Sequence, residues 1–364
     1  MNLFSVCTVM LWGVLLGAQV RLGPSSKFQR TSTTDADGNR WLSGPVLGYV
    51  VEESLTKPQE TASADSAVGA ANGTRLFVRA ILGIPEASHY SEPIEPPVAA
   101  RRIVFAPGHL WAIVFRDNDA PTVAWSPELG VLGALDEVTT EPDFLAFSPS
   151  GVQASLFWRE GNRLLIYSVA PGEISLVRKD SALPWPDDVH RIAISDSGTA
   201  LAGLTSSGNL LLIAGHIVPL YASEHLADVS FRPGSLDLVV ADRGSERILL
   251  FEESSGGYAS RVLMTATEGI STPDHIAATM DGVILASSDE AKRIWAINII
   301  TGAVENTEAE TAHHIEALRL KGLFLLSAEP HQPGWLCQNS QGAPRVTFVP
   351  AVPKASPEAE GIRR

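Results

Sequence analysis

Six residues recur at one place in a repeating pattern: Arg102, Phe144, Arg191, Asp228, His275 and His314. Each stands seven residues before a turn-forming position, at the entry of an alternating apolar stretch. Gathered round one opening, side chains of these types would make a partly aromatic, locally cationic funnel. Guanidinium forks hold carboxylates, and imidazoles adjust the charge with pH. Such a funnel suits an anionic ligand or an acidic loop of a partner, with Asp228 offsetting part of the charge. The plainer alternative is that the six satisfy strand ends and loop carbonyls. Trp185 is a separate candidate. It lies in LPWPDD between two prolines, and an aromatic held that way in a loop is preorganised for recognition.

Catalytic chemistry has little to stand on. The chain contains no GxSxG elbow, HExxH, CxxC, Walker loop or calcium-loop pattern. Of the nine histidines only His313 and His314 are adjacent. Neighbours on a strand point to opposite faces and do not share one metal readily. A hard or borderline cation needs converging oxygen ligands, and only one of the six funnel positions, Asp228, is a carboxylate. No catalytic residue, metal or cofactor is therefore assigned. The expected role is a non-catalytic binding or scaffold module for a protein or extracellular ligand. The alternative is a propeller-type hydrolase or lactonase working in a central channel.

The elements that position these residues follow from the turn anchors. FAPGH ends at His109, FSPSG at Gly151, ISDSG at Gly198, FRPGS at Ser235, ATMDG at Gly282 and ALRLK at Lys321, at intervals of 42, 47, 37, 47 and 39 residues. Each unit holds an alternating apolar strand, a turn of Ser, Asp, Pro or Gly, a second apolar strand (SLFW, LAGL, DLVVA, VILAS), a charged or Gly-rich turn and a third strand. Such a bundle cannot bury both faces alone and must stack on neighbours. A period in the low forties with no helical stripe predicts the blades of an all-β propeller. Six units span about 101–350, and residues 41–100 supply strands for a seventh. Ring closure is expected through pairing of a strand from one terminus with strands from the other, because an open ring exposes an edge.

The segments PDHIAATMDGVILASSDEAKRIWAINIITG (273–302) and LADVSFRPGSLDLVVADRGSERILLF (226–251) resemble the repeats of NHL and YVTN-type β-propellers, relatives of the WD40 superfamily in architecture. No unit carries the Gly-His and Trp-Asp pairs of WD40 repeats, and His275 follows Pro273-Asp274 where NHL repeats often have glycine. The resemblance implies a fold and not a partner, because propellers host many unrelated functions.

With 45% hydrophobic and 19% charged residues the chain is a folded globular protein. Its net charge of −14 repels a phosphate backbone, which argues against nucleic acid as partner. The apolar run Leu3–Val20, followed by Arg21, reads as a secretory signal or an uncleaved membrane anchor, so residues 1–20 direct export to a periplasmic or extracellular site. Contact with a membrane is expected only through this segment. Residues 21–40 form a polar lead-in, 41–350 the propeller and 351–364 a frayed tail. The polar stretch 55–74 is an insertion between strands or a disordered loop, and it carries an Asn72-Gly73-Thr74 glycosylation pattern. Once a signal is removed Cys337 is the sole thiol, so no intramolecular disulfide forms.

Overall fold

The computed structural model describes residues 44–55, 74–116, 121–180, 185–310, 312–327, 332–340 and 343–352. The expectations for 1–40, for most of the 55–74 insertion and for the tail lie outside the described residues. Among the described residues twenty-seven strands form seven antiparallel sheets, each built from strands consecutive in sequence. Helix among the described residues is limited to two short 3-10 turns, Glu160–Asn162 and Ala266–Glu268. Six sheets have four strands and the first has three. They are numbered here as blades 1 to 7 from the N-terminus.

The innermost strands of blades 2 to 7 are Ala100–Phe105, Phe144–Phe147, Val189–Ile194, Leu226–Phe231, His275–Ala278 and Glu316–Ala317. Second strands such as Leu201–Thr205, Leu238–Asp242 and Leu323–Ser327 are buried along their whole length, as their nearly continuous apolar composition requires. Outer strands such as Glu173–Asp180 and Val304–Glu308 are mostly exposed and polar. One apolar cluster fills each blade boundary. Ala202, Leu204 and Leu212 of blade 4, for example, meet Phe231, Val240 and Phe251 of blade 5. Trp111, Trp125, Trp158 and Trp295 are all buried in such boundaries, and so is Cys337, whose thiol burial pushes up to about 12.

The turns between first and second strands meet on one face. Ser150 N–H and Gly234 N–H both donate to Asp196, at 2.8 Å each, and so join blades 3, 4 and 5. Gly151, with φ +73°, lies so close to Pro107 that a Cβ would sit 2.3 Å from its carbonyl oxygen. Only glycine provides both the left-handed backbone and the space. Third-to-fourth strand turns share this face, as Asn339 N–H to the Gly322 carbonyl (2.7 Å) and Ile299 N–H to the Gly282 carbonyl (3.0 Å) show. We call it the turn face, and the opposite end, where the inner strands begin, the mouth face.

Blade 1 corrects one expectation. Its strands Val46–Leu55, Thr74–Ile84 and Ala87–Tyr90 form a sheet of their own, extended by a bridge between Val78 and Ile94. The first of them starts on the turn face, where the Leu47 carbonyl accepts Arg319 N–H at 2.9 Å and Tyr49 N–H donates to His109 Nδ1 at 2.9 Å. It therefore runs opposite to the inner strands and holds the second place in its blade. Among the described residues the ring closes by packing, not by exchange of a strand. Leu47 and Ile81 pack on Leu318, Leu325, Leu336 and Val349, and Gly108 N–H reaches the Ala317 carbonyl at 2.7 Å. Burying apolar faces and capping the edge of the first strand with His109 and Arg319 removes the exposed edge that strand pairing was expected to remove.

Candidate functional site

Each predicted funnel residue lies at the mouth-face end of its blade, three positions before the last residue of the inner strand. Arg102, Phe144, Arg191 and Asp228 line one cavity of about 380 Å³, with Asp143, His190 and Ile276 around them. His275 lines a neighbouring cavity of about 510 Å³ with His190, His225, Arg243, Asp274 and Glu290. His314 precedes the short inner strand of blade 7, near Glu316 at 3.9 Å. The structure thus brings four of the six together and sets the two histidines to one side.

The charges do not stand free as the funnel reading supposed. Arg102 donates to Glu141 at 2.6 Å, and Arg101 pairs with the same carboxylate. Arg191 Nε donates to Asp228 Oδ1 at 2.8 Å. Asp228 is buried and also accepts Val229 N–H at 2.9 Å and, through Oδ2, Ile276 N–H at 3.0 Å. The locally cationic mouth is therefore corrected to one of partly neutralised arginines. Both keep half-exposed side chains, 50% for Arg102 and 48% for Arg191. Phe144 stacks on Phe157 and carries the Arg159 guanidinium 4.9 Å from its ring centre, a cation–π contact at the cavity wall. Asp143 accepts Arg159 N–H at 2.8 Å.

Imidazoles dominate the mouth face of blades 4 to 7. Burial lowers the pKa of His190, with Arg191 and His225 adding repulsion against the opposing hydrogen bond to Leu226. Burial also lowers His314, Glu316 opposing and His275 and His313 reinforcing. His313 Nδ1 lies 3.2 Å from Asp289 Oδ2.

Trp185 is a second correction. Its side chain is only 5% exposed and packs among Phe157, Leu164, Ile166 and Val189, tight against Gly203. The ring fills a blade boundary and has no surface left for a partner. Sequence reasoning also missed Glu141, His190 and His225. Glu141 is three residues before Phe144 and Asp188 three before Arg191, so the signal was a carboxylate in the loop that enters an inner strand.

No family model matches the chain, and no curated protein does. Solved structures resemble it. One is a functionally unknown protein from Desulfotomaculum acetoxidans DSM 771, at 11% identity over 76% of this chain and 96% of that one, with TM-score 0.49. Another is a streptogramin B lyase, at 13% identity, 84% and 88% coverage and TM-score 0.49. A third is the WD40 repeats of RRP9, at 13% identity, 69% and 80% coverage and TM-score 0.48. Likenesses this weak carry no functional argument, and the NHL or YVTN subtype rests on the repeat pattern alone. Seven radially packed antiparallel sheets, closed blade on blade, make the chain a seven-bladed β-propeller.

Proposed function

We propose that the protein is an exported, non-catalytic recognition module that holds an acidic segment of a partner protein, or another anionic ligand, at the mouth of its central channel. The observation that carries this reading is the convergence of Arg102 and Arg191 on one cavity with half of each side chain still exposed. A guanidinium already engaged by one carboxylate keeps further donors for a second. A cavity of about 380 Å³ accommodates a side chain or loop tip, and Phe144 offers it an apolar wall. The hydrolase alternative calls for an available carboxylate at the same place. Asp228 is already committed to three hydrogen bonds and Asp143 to one, which favours binding over catalysis. Export rests on the apolar run Leu3–Val20.

Titration with a glutamate-rich peptide tests the reading. Wild-type protein binds it, and the double variant R102A/R191A binds about tenfold or more weakly, the loss expected from removing charge-assisted hydrogen bonds. R261A on the outer strand of blade 5, where Arg261 meets Glu252, leaves binding unchanged. Equal affinity of wild type and double variant for the peptide would overturn the assignment.

A further inference from the structure

The most exposed apolar side chains of the propeller share one face. Ile300, Met280, Leu129, Ile84 and Leu110, the five most exposed large apolar side chains among the described residues, are 80%, 78%, 67%, 61% and 59% exposed. All five stand on the turn face. Leu110 and Met280 lie in turns between first and second strands, while Ile84, Leu129 and Ile300 lie at the outer turns of blades 1, 2 and 6. Of the remaining exposed apolar residues Val152 adjoins a turn on this face, while Val131, Leu176, Val177, Val262 and Phe348 lie on outer strands, Phe348 toward the mouth-side end of blade 7. The mouth face carries charge and imidazole, including Arg102, Glu141, Arg243, Glu290 and His313, and the turn face interleaves its apolar tips with ion pairs such as Lys321–Asp281 and Arg232–Asp237. Apolar side chains scattered singly over a surface need no explanation, but the gathering of the five most exposed on one face does.

The path of the chain identifies the occupant. The described chain begins at Gly44 and Pro45, and the Pro45 carbonyl accepts Gly83 N–H at 3.0 Å, next to Ile84. The first strand then leaves from the Arg319 turn. Residues 1–43, with the apolar run Leu3–Val20, therefore join the fold on the face that carries the five apolar tips. Residues 21–43 separate that run from the fold, so a segment drawn into a bilayer holds the propeller near the membrane and the apolar tips decide which face meets it.

We infer that the turn face is a bilayer-docking surface whose apolar tips enter the headgroup region, so that the propeller lies flat on the membrane with its mouth toward the aqueous phase. The inference rests on the reading of Leu3–Val20 as a membrane-directed segment. Short apolar tips on a rigid disc bind weakly alone, but a tether raises their effective concentration at the interface. The partner is a zwitterionic lipid surface, because an acidic chain gains nothing from anionic headgroups.

The test uses the full chain with phosphatidylcholine vesicles, in a C7S background so that buried Cys337 is the only native thiol. Single probes are attached through M280C and I300C on the turn face and through E290C on the mouth face. The probes at 280 and 300 shift to the blue and are quenched by a lipid-borne quencher, while the probe at 290 is not. Adding I84D and L129D abolishes the quenching at 280 although the protein still floats with the vesicles. Should the chain float with all three probes equally exposed, docking is overturned and the membrane-directed segment stands. Failure to float removes that segment and the docking together. Shielding of 280 and 300 without vesicles, with a doubled mass, overturns the inference in favour of a second copy of the chain.

Discussion

Asp228 Oδ2 accepts the backbone N–H of Ile276 at 3.0 Å, and this bond crosses from blade 5 to blade 6. The other carboxylate oxygen takes Arg191 from blade 4. One buried side chain at the channel mouth therefore ties three blades together.

Replacing Asp228 with alanine leaves two buried N–H groups, those of Val229 and Ile276, without this acceptor. The expected loss is about 2–4 kcal/mol in urea denaturation. R191A removes a half-exposed partner and costs about 1 kcal/mol or less. A D228A protein as stable as wild type would show that the tie is not structural.

His109 is the counterpart at the ring seam. It is buried, has φ +50°, accepts Tyr49 N–H on Nδ1, stacks on Phe105 at 5.2 Å and places Nε2 3.0 Å from Glu316. H109A orphans the Tyr49 amide and opens a cavity, with a cost of about 2–4 kcal/mol. H109N tolerates the left-handed backbone and retains a polar side chain, so its thermal midpoint falls between those of alanine and wild type. The reverse order would mean that backbone strain at this turn is immaterial.

Acidification should loosen the mouth face. His314 and His190 have folded pKa values below their ordinary value of 6.5, so the folded state binds protons less readily than the unfolded one. Their contribution is complete above 6.5 and is lost as pH falls below it toward the depressed values. Glu316 acts in the same sense lower down. Burial raises its carboxyl, but the neighbouring imidazoles, His109 through its Nε2 contact and His314, outweigh burial and hold it below 4.5, so its share is lost as pH falls past that value. Denaturation midpoints measured from pH 8 to pH 5 fall, and H314Q flattens the decline. A pH-independent midpoint in wild type would refute this account.

The Trp185 boundary makes a steric prediction. A Cβ at Gly203 would sit 2.0 Å from the Trp185 ring, so G203A forces the indole to move and destabilises by about 1–3 kcal/mol. W185A empties the site at a cost of about 3–5 kcal/mol. Both act on stability, and binding of the acidic peptide at the mouth is unaffected below the unfolding transition. Selective loss of peptide affinity in a fully folded W185A protein would restore the recognition role.

The sequence by itself determined the blade repeat, the turn positions and the places where the inner strands begin. These are local matters: alternation of apolar residues has a period of two, and Gly, Asp, Ser and Pro reverse the chain within four residues. That is why Arg102, Phe144, Arg191 and Asp228, read from spacing alone, sit at one mouth. Tertiary structure decided what those residues do there. Glu141 lies 39 residues from Arg102, and Asp228 lies 37 from Arg191. Such pairings arise only when one blade is laid against the next at a particular angle and distance, which no local pattern encodes. The same holds for the inward turn of Trp185, set by the space above Gly203 in the neighbouring strands, and for the seam. There a three-stranded blade is closed by His109 and Arg319, 210 residues apart in sequence, because apolar faces and edge hydrogen bonds must be satisfied wherever the ring brings its ends together.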